Sequence, residues 1–141
     1  MKNTLKIYAI LFLLINTGCK AQQMVQTVKD VPLLKTNELQ FINKPLKNLL
    51  KEIKPAIKNA DGSNEVGHQY SSFKFRTLEQ IEKNEGNTED KVSLYVYVKE
   101  IIDWKWEERT KGKELHWTKE DAEKYGNLIV VRVKVIEQKE D

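Results

Sequence analysis

The heptapeptide Val92-Ser93-Leu94-Tyr95-Val96-Tyr97-Val98 carries the clearest secondary-structure signal in this chain of 141 residues. It is built from β-branched and aromatic residues, and apolar side chains occupy every second position, as in a β-strand. One face of the predicted strand carries Val92, Leu94, Val96 and Val98. Because Tyr95 and Tyr97 lie on the other face, we expect both faces to be partly covered.

Further strands are predicted on both sides of this heptapeptide. Leu128 to Ile136 reads as the last strand, and its predicted core face consists of Ile129, Val131, Val133 and Val135. Phe73 to Arg76 alternates as a strand does, and Leu39 to Phe41 is predicted as a shorter one. The polar and glycine-containing stretch from Asn59 to Ser72 has the composition of a loop.

A β-hairpin is predicted between Trp104 and Trp117. If Lys111 and Gly112 form its turn, Trp106 pairs with Trp117 and Arg109 pairs with Glu114. An aromatic pair and an opposite-charge pair would each contribute about 0.2–1 kcal/mol. Lys-Gly is a weaker turn signal than Asn-Gly, so a longer loop is the alternative.

The main amphipathic helix is predicted between Leu46 and Ile57, with Pro45 in its first turn and Pro55 near its end. The opposite side of this helix carries a basic face, composed of Lys44, Lys47, Lys51, Lys54 and Lys58. This face is either an ordinary solvated surface or a contact with anionic lipid headgroups, to which each lysine contributes about 1 kcal/mol. A shorter helix is predicted after the cap Thr118. The segment from Thr77 to Glu85 is ambiguous: Thr77 and Gln80 have the spacing of a capping box, which indicates a short helix as one of its interpretations.

These elements predict an α+β fold: a single small domain with an antiparallel sheet of about four strands and one main amphipathic helix packed on a face. Long β stretches without strict βαβ alternation favour this class over a parallel sheet. With a single cysteine, Cys19, the domain has no internal disulfide and is held together by burial alone.

The amino terminus has the organisation of an export signal. Lys2 and Lys6 form a positive region, the apolar run Ile7 to Ile15 follows, and Asn16-Thr17-Gly18 precedes Cys19. A bilayer-spanning helix needs roughly 20 apolar residues, so this run is too short to span. Lys2 and Lys6 are the only charges in residues 1–18, and the remainder therefore has 22 basic and 21 acidic residues, a net charge of +1. This near balance argues against nucleic acid as a partner.

Ile15-Asn16-Thr17-Gly18-Cys19 resembles the lipobox of bacterial lipoproteins. The resemblance implies cleavage before Cys19, a diacylglyceryl group on its thiol and attachment to a membrane of the cell envelope, facing the periplasm. The alternative is ordinary signal cleavage after Ala21, which gives a secreted or periplasmic soluble protein. We accordingly predict a signal peptide over 1–18, a tether over 19–37 and the α+β domain over 38–141.

No motif predicts catalysis, a cofactor or a metal. His68 and His116 stand far apart without ligand-like neighbours, and the sequence contains no phosphate-binding glycine loop and no nucleophile elbow. We therefore expect a protein that is not an enzyme. The candidate ligand or partner surface is formed by Trp104, Trp106 and Trp117, since aromatic residues often dominate binding surfaces. The alternative is that the three tryptophans close one end of the core.

The function predicted from these observations is a lipid-anchored, non-enzymatic binding module of the cell envelope. Its size and address are compatible with an immunity or inhibitor protein. The alternative is a structural or assembly accessory of an envelope complex, and the third is a secreted soluble protein.

Overall fold

A computed structural model describes residues 21–138 of the chain. The predicted signal peptide over 1–18 and Cys19 lie outside the described residues. The described part has four strands: β1 (Asn59–Glu65), β2 (His68–Lys74), β3 (Ser93–Val98) and β4 (Val130–Ile136). All three pairings are antiparallel and the order in the sheet is β1-β2-β3-β4. Together with the helices described next, this sheet confirms the α+β class and the predicted four strands.

Short helices connect and cover the strands. The α-helices are α1 (Pro32–Thr36), α2 (Leu46–Leu50), α3 (Leu78–Glu82) and α4 (Lys119–Tyr125). Single 3₁₀ turns lie at Val28–Asp30, Glu38–Gln40, Thr88–Lys91 and Trp106–Glu108. The predicted caps are confirmed, because the Thr77 and Thr118 side chains accept hydrogen bonds from the backbone N–H groups of Gln80 and Asp121.

The central strand β3 was predicted correctly. Leu94, Val96 and Val98 point into one hydrophobic core, and Tyr95 and Tyr97 point to the opposite face. The loop predicted over Asn59 to Ser72 is wrong, because β1 and most of β2 form a hairpin there. Val66 and Gly67 make its two-residue turn, with Gly67 at a φ of +79°. Pairing with β2 overrides the weak β propensity of Asp61, Gly62 and their neighbours.

The predicted core face of β4 is confirmed at Val133 and Val135, which lie in or against the core, and is wrong at Val131. Val130 and Val133 are fully buried, whereas Val131 is exposed. The register shifts between Tyr97 and Val98, which pair with Arg132 and Val130, so Val131 is the extra residue of a β-bulge. Because the bulge adds one residue, it breaks the two-residue alternation of the strand. The core-facing residue before it is even-numbered, Val130, and those after it are odd-numbered, Val133 and Val135.

The main helix is shorter than predicted. It ends at Leu50, and the chain continues as an irregular segment in which Ile53 forms a parallel bridge with Val25. The N–H of Lys54 donates to the carbonyl of Val25 (2.9 Å) instead of to a helical carbonyl. Pairing with the amino-terminal segment therefore replaces the last two turns of the expected helix.

The tether predicted over 19–37 is wrong for its described part. Val25, Val31 and Leu34 are fully buried in the core, and α1 lies within this segment. The strand predicted from Leu39 to Phe41 is likewise wrong, because a 3₁₀ turn occupies that position. Residues from about Met24 onward are consequently part of the domain.

Both outer edges of the sheet are partly covered. Along β1, the N–H of Ala60 donates to the carbonyl of Leu115 (2.8 Å), and the N–H of Trp117 donates to that of Lys58 (3.2 Å). Along β4, the N–H of Asn43 donates to Val130 (2.8 Å), and Glu38 Oε2 accepts from the N–H of Val133 (3.2 Å). These contacts reduce the backbone available for pairing with another chain.

Candidate functional site

Two of the three predicted tryptophans, Trp104 and Trp117, are partly buried and pack against the core. Trp104 stacks on Tyr125 with ring centroids 5.5 Å apart, and the ring of Trp117 also stacks with Tyr125, at a centroid distance of 6.4 Å. Trp117 also meets Phe73 edge to face at 5.1 Å. We call Trp104, Tyr125 and Trp117 the aromatic stack; it closes the core beneath β1 and β2.

The ion pair between Arg109 and Asp121 packs against the aromatic stack. The Arg109 guanidinium donates to both carboxylate oxygens of Asp121 at 2.9 and 2.8 Å and lies 4.0 Å above the Trp104 ring. It also donates to the carbonyl of His116 (2.7 Å). The predicted Arg109–Glu114 and Trp106–Trp117 pairs are therefore wrong: a 3₁₀ turn and a loop replace the hairpin.

This ion pair shifts the pKa of both partners. Burial acts to raise the pKa of Asp121, but hydrogen bonds from Arg109 and Thr118 outweigh it and bring the pKa below its ordinary value. The hydrogen bond to Asp121 raises the pKa of Arg109. Both groups stay charged at neutral pH and hold the 104–118 loop against α4.

The third tryptophan lies apart from the stack. Trp106 is 45% exposed and begins a 3₁₀ turn, and among the described residues it makes no ring contact. The structure therefore joins Trp104 and Trp117 through Tyr125, and it does not assemble the three tryptophans as one surface.

A different group of aromatic residues occupies the outer face of the sheet. Tyr70 lies between Tyr95 and Tyr97, with centroid distances of 5.6 and 5.4 Å. His68 meets Tyr97 edge to face at 6.4 Å, and the Arg132 guanidinium lies 5.3 Å from the Tyr97 ring centroid. We call these five residues the tyrosine face.

The tyrosine face is on the side of the sheet opposite to the core. All the buried apolar residues of the described helices belong to the single core cluster formed with Leu94, Val96 and Val98. The three tyrosines do not belong to it and are half-buried, whereas His68 and Arg132 are exposed. Aromatic side chains thus form a continuous, partly accessible surface over β2 and β3.

Charges of opposite sign border the tyrosine face. Arg132 and Lys134 lie on the β4 side, and Asp61 and Glu65 lie on the β1 side. Burial raises the pKa of Asp61, which Lys74 partly opposes. A cavity of about 580 Å³ lies at the end of the sheet where Lys74 of β2, Ser93 of β3 and Ile136 of β4 are paired side by side. These three residues are part of its lining. This arrangement is suited to recognition through aromatic and charged contacts.

The predicted basic face is split by the early end of α2. All five lysines are exposed, but Lys47 and Lys51 alone are separated by one helical turn. Lys54 follows in the segment paired with Val25. Lys44 is next to β4, where its carbonyl accepts from Val130, and Lys58 precedes β1.

The sequence contained a partial signal for the tyrosine face. Tyr95 and Tyr97 alternate with the core residues of β3, which places them on one face. The strand predicted over Phe73 to Arg76 is too short to include Tyr70. The pairing that assembles these residues depends on the β1–β2 hairpin, which has no strong local pattern.

The chain was compared with protein-family models, with curated proteins and with solved structures, and no significant match was found. Within residues 21–138, no helix has the length and apolar character needed to cross a bilayer. The same residues contain no cluster of three or more histidine, cysteine, aspartate or glutamate side chains that could hold a metal ion.

Proposed function

We propose that this protein is an exported, lipid-anchored, non-enzymatic module of the cell envelope that binds a protein partner through the tyrosine face. The observation that carries the binding proposal is the cluster of Tyr70, Tyr95 and Tyr97 on the outer side of the sheet. The anchor proposal is supported by the lipobox-like residues ending at Cys19.

The composition of the tyrosine face is typical of protein interfaces. Tyrosine and arginine are enriched among the residues that dominate binding energy, and an aromatic ring offers a large contact area with little side-chain entropy to lose. Tyr70, Tyr95 and Tyr97 are held by each other, so a partner would meet a preorganised surface.

The charges around the tyrosine face specify the chemistry of the partner. Arg132 and Lys134 favour acidic side chains opposite β4, and Tyr97 with Tyr70 favours an apolar or aromatic centre. We therefore propose a protein surface with an apolar centre and acidic residues on one side. Asp61 and Glu65 would disfavour acidic groups at the opposite border.

Photo-crosslinking in intact cells tests this assignment. p-Benzoylphenylalanine replaces Tyr97 in one variant and Val66 in the control; Val66 is 100% exposed in the β1–β2 turn. We expect a discrete adduct from position 97 that is absent from position 66. A stoichiometric resident protein in the adduct would favour the role of assembly accessory within a complex. An adduct of two copies would make the partner a second copy, and the absence of any adduct from position 97 would contradict binding of a resident protein.

The intact mass of the mature protein tests the anchor separately. The wild type is expected to begin at Cys19 and to carry acyl mass, whereas Cys19→Ala should carry none. A wild-type chain that begins at Gln22 without acyl mass would contradict lipidation and support ordinary secretion.

A further inference from the structure

We infer that the domain rests directly on an anionic lipid surface through a lysine patch, which consists of Lys47, Lys51 and Lys54. This inference rests on the proposed lipid anchor at Cys19. It goes beyond the anchor by specifying which side of the domain faces the membrane and which lipid charge it recognises.

The first observation is where the folded domain begins. Gln23 donates a side-chain hydrogen bond to the carbonyl of Lys51 (2.9 Å), and the N–H of Met24 donates to Glu52 Oε2 (2.8 Å). Val25 is then fully buried and exchanges backbone hydrogen bonds with Glu52 and Lys54, at 2.8 and 2.9 Å. The amino-terminal segment is thus fixed to the domain from Gln23 onward.

The second observation is the short distance from this point to the proposed anchor. Three residues lie between Cys19 and Gln23, and the four steps from one Cα to the next, at about 3.5 Å each, span at most about 14 Å. A lipid on Cys19 would therefore hold the 51–54 segment close to the headgroups. The tether expected from the sequence would have allowed a much larger separation.

The third observation is the charge around this point. Lys51 and Lys54 belong to the segment that binds Gln23 and Val25, and Lys47 lies one helical turn before Lys51. All three are exposed, and none forms an ion pair with a described residue.

Three acidic groups lie near the lysine patch: Glu52 within its segment, and Glu89 and Asp90, which line a cavity together with Lys54. The Glu52 carboxylate accepts from Met24, and Glu89 is paired with Lys29 (2.8 Å). Between Cys19 and Asp30 the sequence contains no acidic residue, and Lys20 adds a further positive charge. The lysines outnumber these acidic groups, so the region nearest to the proposed anchor carries a net positive charge that would attract anionic headgroups.

Chemical footprinting of the lipidated full-length mature protein tests this inference. The protein is bound to vesicles of phosphatidylcholine alone, or of phosphatidylcholine with 30% phosphatidylglycerol, and exposed amines are acetylated. We expect acetylation of Lys47, Lys51 and Lys54 to be at least threefold slower on the anionic vesicles. The matched internal controls Lys99, Lys111 and Lys113 are also exposed and should be acetylated at equal rates on both. At 1 M NaCl, where the Debye length is about 3 Å, the protection should disappear.

Flotation of the same samples separates the two proposals. A lipidated protein floats with neutral and with anionic vesicles, whatever its lysines do. Flotation with both, combined with equal acetylation of the lysine patch, would overturn the patch and leave the anchor standing. Failure to float with neutral vesicles would overturn the anchor, and the lysine-patch inference would fall with it.

A matched pair of variants adds a second readout. Lys47→Gln/Lys51→Gln/Lys54→Gln removes the patch, whereas Lys99→Gln/Lys111→Gln/Lys113→Gln removes equal charge elsewhere. Without acyl chains, in a Cys19→Ser background, the patch variant should lose at least tenfold in partitioning to anionic vesicles relative to the control variant. Equal partitioning of the two variants would contradict the inference.

Discussion

The aromatic stack has three aromatic rings and the tyrosine face has three tyrosine rings together with His68, but the two clusters lie on opposite sides of one sheet. In the stack, Tyr125 is only 4% exposed between Trp104 and Trp117, and the Arg109–Asp121 ion pair closes it. On the tyrosine face, the rings contact one another and remain half-buried. The difference indicates that aromatic content alone does not identify a binding surface. The distinguishing feature is whether other side chains cover the rings.

An arginine contacts an aromatic ring in each region, and the two arginines differ in their other contacts. Arg109 has a carboxylate, a backbone carbonyl and an indole ring as partners. Arg132 has the Tyr97 ring at 5.3 Å and an exposed side chain. The first arginine is committed to the fold, whereas the second is available to a partner.

The largest effect on stability is expected from the aromatic stack. Trp117→Ala removes a ring that contacts Phe73 and Tyr125, and burial of comparable rings is worth about 3–5 kcal/mol. Since Trp117 is partly exposed, we expect a loss of about 3 kcal/mol in the free energy of unfolding, measured by urea denaturation. Trp106→Ala is the control and should lose less than about 0.5 kcal/mol. Equal losses would contradict the division between the two tryptophans.

Removal of the ion pair should have the next largest effect. Arg109→Ala leaves the mostly buried Asp121 carboxylate without its charged partner, and we expect a loss of about 2 kcal/mol. Arg109→Lys should recover only part of it, because an ammonium group cannot donate in the bidentate geometry. Arg132→Ala is the matched control on the tyrosine face, where an exposed cation–π contact is worth about 0.5–1 kcal/mol. A loss from Arg132→Ala as large as that from Arg109→Ala would remove the contrast.

Substitution on the tyrosine face should affect binding more than stability. Tyr97→Ser removes contacts with Tyr70, His68 and Arg132, and cross-strand contacts of this kind are worth about 0.2–1 kcal/mol each. We expect the free energy of unfolding to fall by about 1 kcal/mol. The affinity for the crosslinked partner, measured by calorimetry, should fall at least tenfold. Unchanged affinity would show that the partner binds elsewhere.

Two aspartates should respond to pH in opposite directions. Because the pKa of Asp121 is lowered in the folded state, its ionised carboxylate stabilises the fold at any pH above the pKa of Asp121 in the unfolded chain. This stabilisation is lost as the pH falls through the pKa of the folded state, which lies below the ordinary value of 3.8. The raised pKa of Asp61 favours the protonated form in the folded state, so its ionisation slightly destabilises the fold near pH 7. Asp121→Asn should therefore destabilise the protein at pH 7, and Asp61→Asn should stabilise it by less than about 1 kcal/mol. Urea midpoints between pH 3 and 7 measure both, and a shift of the same sign for the two variants would contradict the assignment.

The predictable parts of the fold are those with a strong local pattern. The alternation in β3 and the capping residues Thr77 and Thr118 identified a strand and two helix starts correctly. The failures depend on contacts distant in sequence. Val25 takes the backbone partners that a longer α2 would need, and the bulge at Val131 reverses the face pattern of β4.

The site proposed from the structure differs from the one predicted from the sequence for a similar reason. In the sequence, Trp104 and Trp117 are compatible with an exposed pair. In the structure, both stack on Tyr125, which lies eight residues beyond Trp117 and packs them against the core. Tyr70 becomes a neighbour of Tyr95 and Tyr97 only through the pairing of β2 with β3. Neither relation is encoded in the spacing of the aromatic residues along the chain.

The most direct test of the contrast between the two clusters is the rate of tyrosine nitration by tetranitromethane, followed residue by residue by mass spectrometry. In the purified protein, Tyr97 should react at least fivefold faster than the buried Tyr125, because its ring is accessible from the outer side of the sheet. In intact envelopes, the reaction of Tyr97 should slow severalfold while that of Tyr125 stays slow. Equal rates for the two tyrosines in the purified protein, or a Tyr97 rate that is the same in envelopes, would contradict the account.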